Sequence, residues 1–390
     1  MRPGIQKQII KSYICKMLQN LTHYIKVIQQ EFIMFPQLFR YTVSSKKKAV
    51  YVGCTGMGNL GDEAILTALE NYISGKFVLY EIPYKTPKAG HILRKWFLKK
   101  PDLIILGGGT IIKKGKKESY LKIINDQIKL YPKAQLAVLG PGVADEGFAG
   151  NFGLSIDTES WKTFLDACSF VSVRGILSKK QLEKWKVSSE INIFHDPAVY
   201  YARTSVMPKT KSKKIGINFA YIGNRIYGEN PKLVETFAKE IVLRLIRDNW
   251  SVYLYPTTKS DLDYMLNGIG LKELEGISIY EDYIDIEKSL SFIESMDIFL
   301  GQRLHSIIFA ANTGTPFHAI EYEPKTSDFL LTTGFEGYTT RTDALDVEEA
   351  LQRISALYAS INQEQQKIAG LMQAAQKEQK QCVEKLLSKY

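Results

Sequence analysis

Cysteine is scarce in this chain of 390 residues, and its four cysteines lie far apart. They form no C-x-x-C pair and no spacing typical of a zinc site or a disulfide framework. No stretch approaches the length of a membrane span, and the first 45 residues lack the uninterrupted apolar segment of a signal peptide. We therefore expect a protein of the reducing cytoplasm rather than an exported one.

Acidic residues are almost missing from the N-terminus. Residues 1–48 contain nine lysines or arginines and a single acid, Glu31, so this segment carries +8 of the formal net charge of +10. The rest of the chain is close to neutral, which argues against a general nucleic-acid-binding surface. We expect no nucleic-acid partner.

The basic segment is also amphipathic. Apolar residues recur from Ile5 to Ile28 at three- and four-residue steps, the period of an α-helix, and the apolar stretch EFIMFPQLF, interrupted by Pro36, follows. A basic amphipathic helix binds at membrane surfaces. Packing on the chain's own domain is the alternative. Both remain open for residues 1–45, and a lipid-linked substrate would favour the membrane.

Short apolar strands, such as the one predicted at FVLYEI, alternate with helical patterns beyond this segment, which predicts parallel sheets. A basic, proline-containing stretch at residues 204–214 is typical of a linker, and a second set of strands and helices follows it. We predict four segments: an N-terminal segment at 1–46, α/β domains at 47–205 and 206–330, and a helical segment at 331–390.

Several predicted strands end in glycine or in a charged residue. Open α/β sheets bind ligands at the carboxyl ends of their strands, so two such sheets would place these groups around a shared cleft. The residues concerned are Gly107, Gly108, Gly109, Arg174, His195, Asp196 and the sequence GQRLH at 301–305.

The sequence GQRLHSII is predicted to begin a helix. Leu304, Ile307, Ile308 and Ala311 have the i, i+3, i+4 and i+7 spacing of one helix face. Arg303 and His305 are then expected in the first turn. A cation there opposes the helix dipole, whereas the free N–H groups of the same turn form an anion site. We predict a bound anion. An Arg–carboxylate pair with a surface histidine is the alternative.

The loop GCTGMGNLGDE fits the dinucleotide pattern G-x-G-x-x-G at Gly56, Gly58 and Gly61. However, Asp62 and Glu63 occupy the first helical turn, where they would repel a pyrophosphate. We prefer a role in capping the helix or in accepting hydrogen bonds from sugar hydroxyls. No dinucleotide cofactor is expected, and no residue cluster has metal-ligand spacing.

The motifs YVGCTGMGNLGDEAIL, LGGGTII, VSVRG, HDPA and GQRLHSIIFAANTGTPFHAIEYEPK occur in this order between residues 49 and 330. Together they resemble the polysaccharide pyruvyl transferase family. The resemblance implies an α/β fold with two Rossmann-like domains facing a central cleft, similar to GT-B glycosyltransferases, here with an N-terminal amphipathic helix and C-terminal helices. It implies transfer of pyruvate from phosphoenolpyruvate to a sugar diol of a cell-surface polysaccharide precursor, which forms a cyclic ketal without a further cofactor.

The family's R-x-H motif corresponds to Arg303 and His305, and the arginine of its S-x-R-D motif corresponds to Arg174. Gly175 stands where the family has aspartate. Arginine forks bind phosphate and carboxylate, and histidine is suited to protonate the enolpyruvyl methylene. We predict His305 as this acid, with a pKa that the helix N-terminus lowers and bound phosphate raises. His195 is the rival.

The predicted substrate-binding set also includes Lys325, for which a phosphate contact and an ordinary surface position are equally compatible. Two other functions remain open: a GT-B-type glycosyltransferase using a nucleotide sugar, and a non-enzymatic carbohydrate-binding protein of the same pathway. Expected partners are phosphoenolpyruvate, a lipid-linked glycan acceptor and the membrane surface through residues 1–45. The full substrate-binding set is Asn59, Gly61, Asp62, Gly107, Gly108, Gly109, Asp196 and Lys325.

Overall fold

The chain forms two six-stranded sheets in which every strand pair is parallel. The predicted α/β class is therefore confirmed. The amphipathic pattern from Ile5 to Ile28 lies outside the described residues. The computed structural model describes residues 32, 34–55, 58–82, 98–113 and 120–390.

The first domain is built on strands buried along most of their length. Continuous apolar runs such as LIILG suit these strands, because helices cover both faces of a parallel sheet. The strands are β1 (Lys47–Val52), β2 (Phe77–Ile82), β3 (Leu103–Gly107), β4 (Thr110–Ile112), β5 (Gln135–Leu139), β6 (Gly142–Val143), β7 (Phe170–Val173) and β8 (Ile191–Ile193). The sheet order is β2-β1-β3-β5-β7-β8, and β4 pairs separately with β6. The described helices of this domain are α1 (Leu60–Ile73), α2 (Tyr120–Leu130), α3 (Glu146–Asn151), α4 (Thr158–Asp166) and α5 (Ile176–Lys184).

The second domain repeats this arrangement. Its strands are β9 (Lys214–Asn218), β10 (Ser251–Leu254), β11 (Ile277–Ile279), β12 (Ile298–Gly301), β13 (Phe317–Glu321) and β14 (Thr339–Arg341), in the order β11-β10-β9-β12-β13-β14. Its helices are α6 (Pro231–Arg247), α7 (Lys259–Asp263), α8 (Ile286–Glu294), α9 (Leu304–Asn312), α10 (Pro324–Thr333), α11 (Val347–Ala359) and α12 (Ile361–Leu387). Short 3-10 helices lie at Pro197–Tyr201, Leu271–Glu273 and Glu336–Tyr338, and a π-helical turn lies at Tyr264–Gly268.

The strand orders locate a binding crevice in each sheet. The winding direction reverses between β1 and β3 in the first sheet and between β9 and β12 in the second. Ligands of open α/β sheets bind outside the carboxyl ends of the strands at such reversals. The loops after β1, β3, β9 and β12 are therefore the ones that the fold offers to a ligand.

The last helix ties the two domains together. Its first half packs Ile368 and Met372 into the core of the second domain, while Val383 and Leu386 near its end pack into the core of the first. The boundary predicted at residue 330 is wrong, because it falls inside α10 and because β14 still belongs to the second sheet. The last helix therefore packs on both domains, and the C-terminal residues do not form a separate helical segment.

The described part of the N-terminal segment has two different faces. Residues 34–43 are helical, so Pro36 does not end this helix. Tyr41 is fully buried and its ring packs edge-on against Tyr80, whereas Phe35 and Phe39 are exposed. One face therefore packs on the first domain and the other remains open. In the part of the chain that the structure describes, no helix is long and apolar enough to cross a bilayer.

Candidate active site

A cavity of about 270 Å³ lies in the cleft between the domains. It is lined by loops that follow β1, β3, β9 and β12, where the sheet orders predict a ligand. Both walls contribute polar side chains, so a small charged molecule would be held by the two domains together. The predicted site residues in the lining are Asn59, Asp62, Gly109, Arg174, Arg303, His305 and Lys325.

His305 lies where it was predicted, but Arg303 does not. Helix α9 begins at Leu304, so His305 lies in the first turn, whereas Arg303 is the N-cap residue with extended backbone. Arg303 therefore precedes the helix rather than lying in its first turn. From this position the side chain of Arg303 extends to Asp261 of α7.

The imidazole of His305 is enclosed between the two domains. Its Nε2 lies 3.9 Å from Asp196 Oδ1 and has no hydrogen-bond partner among the described residues. A Cβ atom at Gly61 would lie 1.8 Å from Nδ1, so the glycine makes room for the ring. Burial lowers the pKa of His305, while the carboxylates of Asp196 and Asp62 oppose this shift. The ring is neutral near pH 7 and sensitive to an added charge.

Asp62 faces the same histidine from the first domain. The Cys54 thiol donates to Asp62 Oδ2 at 3.4 Å, and burial raises the pKa of Asp62 against the influence of His305. The capping role proposed for Asp62 belongs instead to Asn59, whose Oδ1 accepts from Gly61 N at 3.1 Å. Asp62 is thus a buried carboxyl that lines the cavity, and its raised pKa makes it a stronger base than an exposed aspartate.

Arg174 is almost fully buried, with 2% of its side chain exposed. Its Nη2 donates to Thr110 Oγ1 at 3.1 Å, and Nη1 lies 3.6 Å from Asp196 Oδ2. Neither Arg174 Nε nor Asp196 Oδ2 has a hydrogen-bond partner in the described ranges. Unmet hydrogen bonds at buried charged groups are costly, so this arginine is prepared for a partner that the polypeptide does not supply.

Arg303 already has a carboxylate partner. Its Nε and Nη2 both donate to Asp261 Oδ1, at 3.1 and 2.7 Å, and Asp261 is fully buried. Thr257 donates to the other oxygen of Asp261 from its backbone N–H and its hydroxyl. The Arg–carboxylate pair, given above as the alternative to an anion site, is therefore present. The guanidinium nevertheless lines the cavity.

Lys325 lies in the cleft and not on the open surface. Its ammonium is 2.7 Å from Glu323 Oε1, and Arg225 Nη2 is 3.3 Å from Glu323 Oε2. One buried carboxylate thus holds two cations at the cavity wall. Sequence reasoning missed Arg225, because it lies in the loop after β9 and not directly at the end of the strand, as Arg174 does after β7.

Lys113 is a further cation that sequence reasoning missed. It follows β4 directly and lines the cavity. Desolvation by the cleft walls lowers the pKa of Lys113, and the nearby cations Arg225 and Lys325 lower it further. Mutual repulsion of this kind is expected where cations converge without their anion.

Five predicted residues do not line the cavity, namely Gly61, described above with His305, and Gly107, Gly108, His195 and Asp196. His195 Nε2 bonds Glu378 Oε2 of α12 at 2.8 Å, so this histidine is engaged away from the predicted active site. Gly107 ends β3 below the cavity, and a Cβ at Gly108 would lie 2.3 Å from Ile65, so these two glycines allow close packing. Asp196 does not line the cavity, but its carboxylate lies 3.6 Å from Arg174 Nη1 and 3.9 Å from His305 Nε2.

Gly175 makes room for an aspartate of the opposite domain. A Cβ atom at Gly175 would lie 2.3 Å from Asp328 Oδ1. That oxygen accepts from Leu177 N at 2.8 Å, and Ser178 Oγ donates to Oδ2 at 2.6 Å. An aspartate N-cap accepts from these same N2 and N3 positions. Asp328 therefore caps α5 across the domain interface, and Gly175 leaves the space in which it does so.

Metal and cofactor sites were not expected from the sequence. Across the described ranges, no group of three or more His, Cys, Asp or Glu side chains is arranged to hold a metal ion. The prediction that the protein uses no metal and no cofactor stays a prediction.

Three solved structures with a similar fold are two UDP-GlcNAc 2-epimerases and one glucosyltransferase. A UDP-GlcNAc 2-epimerase from Neisseria meningitidis, bound to UDP-GlcNAc, is 10% identical with a TM-score of 0.57, over 88% of this chain and 100% of the epimerase. An α-glucosyltransferase in complex with UDP and DNA is 12% identical with a TM-score of 0.51, over 87% and 100%. The epimerase of Methanocaldococcus jannaschii, in complex with UDP-GlcNAc and UDP, is 11% identical with a TM-score of 0.51, over 80% and 92%. Identities this low show the fold alone, which is GT-B-like as predicted.

Sequence comparison identifies the family. No curated protein matches the chain. The sequence model described as polysaccharide pyruvyl transferase matches residues 59–324, which include Asp62, Arg174, Arg303 and His305. Because this match covers most of the chain, the protein belongs to the polysaccharide pyruvyl transferase family of transferases.

Proposed function

We propose that this protein transfers pyruvate from phosphoenolpyruvate to a sugar diol of a cell-surface polysaccharide precursor and forms a cyclic ketal. One observation carries the proposal: a cluster of cations and a buried histidine converge in the cleft at which the two sheets open. Phosphoenolpyruvate carries about three negative charges near neutral pH, so it requires such a cluster. The cations are Lys113, Arg174, Arg225, Arg303 and Lys325.

The donor is bound chiefly through Arg174 and Lys113. Arg174 retains an unbonded Nε among the described residues, and Lys113 has no anion beside it strong enough to offset desolvation. Arg225, Arg303 and Lys325 add a positive field while remaining partly neutralised by Glu323 and Asp261. Donor phosphate and carboxylate in this field gain charge-assisted hydrogen bonds, each contributing about 1.5–3 kcal/mol.

Chemistry in this proposal begins at His305. The protonated imidazole donates its proton to the methylene carbon of the enolpyruvyl group while a sugar hydroxyl attacks C2, and Asp62 accepts the hydroxyl proton. The resulting tetrahedral centre loses phosphate, which takes the proton held by Asp62, and the second hydroxyl closes the ketal as its proton returns to His305. Asp62 suits the role of base because it lines the cavity and burial raises its pKa above the usual value of an aspartate.

The alternative with support from the fold is a glycosyltransferase using a nucleotide sugar, since the similar solved structures contain UDP or UDP-GlcNAc. A non-enzymatic carbohydrate-binding protein is the other alternative, and it needs no proton donor. The deciding experiment incubates the protein with phosphoenolpyruvate and a panel of arylated and lipid-linked glycosides. Phosphate release together with the mass gain of a pyruvyl ketal supports the proposal. Consumption of UDP-sugars without turnover of phosphoenolpyruvate overturns it.

The membrane surface is proposed as a partner through the N-terminal segment. Phe32, Phe35, Phe39 and Val43 are exposed on the helix that ends at residue 43, and the preceding sequence is strongly basic. Aromatic residues on one face and basic residues around them suit an anionic lipid interface, where each lysine or arginine contributes about 1 kcal/mol. Such binding would hold the enzyme near lipid-linked acceptors on the cytoplasmic face.

Testing this partner requires a variant that keeps the buried face. Removing residues 1–45 would also remove Tyr41, which is part of the core, so deletion of residues 1–31 and the change of Phe35 and Phe39 to serine are better choices. Both should reduce co-sedimentation with anionic phospholipid vesicles at low salt and leave turnover of a soluble glycoside unchanged. If the unaltered protein does not bind such vesicles at low salt, the membrane proposal is wrong.

A further inference from the structure

A second cavity, of about 470 Å³, adjoins the proposed donor pocket. We propose that it is the acceptor subsite and that it selects a neutral glycan over one carrying an acidic sugar. This inference rests on the proposed function, because it assigns the second substrate of the same reaction.

The two cavities share part of their lining. Asp145, Phe148 and Pro324 line both of them. Phe148 comes from α3 of the first domain and Pro324 begins α10 of the second, so the shared part lies at the domain interface. A sugar in the outer cavity would therefore lie next to the proposed donor pocket.

The charges of the two cavities are opposite. The donor pocket has five lysine or arginine side chains in its lining against three carboxylates. The described lining of the outer cavity has one cation, Arg341, against Asp145, Glu229 and Asp343. An anionic sugar would be repelled at the outer cavity and drawn to the donor pocket, where it would compete with phosphoenolpyruvate. A neutral acceptor avoids both effects.

Arg341 does not supply a free charge to the outer cavity. Its Nε and Nη2 donate to the two carboxylate oxygens of Asp343 at 3.0 and 2.7 Å, and its guanidinium lies 3.9 Å from the centre of the Tyr227 ring. Thr342 Oγ1 donates to the Tyr227 carbonyl at 2.8 Å, which fixes the same strand to the loop. This ordered group is a rigid wall rather than an anion site.

The part of the outer cavity next to α3 has an aromatic surface. Phe148 packs edge-on against both Phe152 and Tyr227, with ring centres 5.1 and 5.2 Å apart. Phe152 and Tyr227 also line the outer cavity, next to the amide of Asn151 and the exposed carboxylate of Glu229. Aromatic rings cover the C–H faces of sugars, while amide and carboxylate oxygens accept from their hydroxyls. This combination fits an uncharged polyol.

The test compares one glycoside with its oxidised form. The probe pair is a neutral disaccharide glycoside of the acceptor panel and its analogue with a C6 carboxylate on the sugar that does not receive pyruvate, so that the reacting diol is the same in both. The unaltered protein should turn over the neutral form at least about tenfold more efficiently. Glu229→Lys should reduce this preference severalfold. Glu273→Lys, an exposed change of the same charge outside both cavities, should leave it unchanged.

A second variant tests the position of the subsite. Phe152→Ala should raise the acceptor KM about tenfold without changing the KM for phosphoenolpyruvate, whereas Tyr221→Ala, an exposed aromatic outside both cavities, should change neither. Equal acceptor KM values for Phe152→Ala and the unaltered protein, or a preference for the uronide, overturn the inference. Absence of any phosphoenolpyruvate turnover overturns the proposed function instead, and binding of the neutral glycoside, followed by ligand-observed NMR in these variants, then decides the subsite.

Discussion

The two walls of the cleft hold their charges in different ways. On the second-domain wall each arginine or lysine that the structure describes in the cavity has a carboxylate: Asp261 binds Arg303, and Glu323 binds both Lys325 and Arg225. On the first-domain wall Arg174 has only a 3.6 Å contact with Asp196 and an unbonded Nε within the described residues. An ion pair stabilises a buried charge when no ligand is bound. A charged group with unmet hydrogen bonds can form them with a ligand instead.

This difference distinguishes Arg174 from Arg303, although both match a motif of the family. Arg174 and Arg303 were both predicted to bind the donor. Removing Arg174 deletes a group that awaits a ligand and takes only a 3.6 Å contact from the fully buried Asp196, whereas removing Arg303 takes two hydrogen bonds from the fully buried Asp261. The first change should act mainly on catalysis and the second on stability as well.

The largest effect is expected for Arg174→Ala. Loss of its charged hydrogen bonds to the donor should lower kcat/KM for phosphoenolpyruvate by more than 100-fold, corresponding to about 3 kcal/mol. Arg174→Lys keeps the charge but not the fork, so it should recover only part of this loss. Circular dichroism and thermal unfolding check that the variants fold. Near-normal steady-state kinetics in a folded Arg174→Ala protein would remove this residue from the donor site.

His305→Gln should have the next largest effect. Glutamine retains hydrogen-bonding groups but cannot protonate carbon, so kcat should fall about 100-fold or more while the donor still binds. His195→Gln is the control, because His195 bonds Glu378 and does not line the cavity. If the control loses turnover and His305→Gln does not, His195 is the acid and the assignment made here is reversed.

Arg303 and Asp261 test the paired wall directly. Arg303→Ala should lower the free energy of unfolding by about 3 kcal/mol, because a buried carboxylate is left without its cation. Adding Asp261→Asn removes that charge and should restore part of the stability. Chemical denaturation of the two single variants and the double variant gives the coupling. Additive losses would show that the pair does not stabilise the wall.

Patterns local in sequence predicted much of the fold and only part of the site. The stretch FVLYEI predicted β2 with the bounds observed at Phe77–Ile82, because a buried strand needs a continuous apolar run. Strand β11 went unnoticed, since Ile277–Ile279 is a partly exposed edge strand of three residues. Strand β14 at Thr339–Arg341 is equally short and polar. Neither has the length or hydrophobicity that identifies a strand.

The contacts between charged residues in the cleft could not be predicted from the sequence, for a different reason. Arg303 and Asp261 are separated by 42 residues and Gly175 lies opposite Asp328 of another domain. The first contact joins two segments of the second domain and the other crosses the domain interface, so neither follows from a local pattern. Strand-end positions predicted only some of the residues that line the cleft, and not which of them neutralise one another.

Asp328→Asn should have a smaller effect, confined to the domain interface. The amide can accept at one position only, so the capping of Leu177 N and the bond from Ser178 Oγ cannot both remain as they are. Loss of a cap costs about 1 kcal/mol, which thermal unfolding should detect as a modest decrease in stability. Gly175→Asp should also destabilise, because its side chain would collide with Asp328. A Gly175→Asp, Asp328→Gly double variant should recover stability if one carboxylate can cap α5 from either domain.

The smallest expected signal is a fraction of a proton taken up when phosphoenolpyruvate binds. Burial places the pKa of His305 below its usual value, so the ring of the ligand-free protein is neutral at pH 7. A bound phosphate stabilises the imidazolium and raises this pKa. Between the two pKa values binding therefore adds a proton, and donor affinity should fall as the pH rises through the pKa of the complex. Calorimetry at pH 7 in buffers of different ionisation enthalpy measures the uptake, and His305→Gln subtracts the ionisation of the phosphate itself. If both proteins take up the same number of protons, His305 does not gain a proton from donor binding and cannot be the acid that binding prepares.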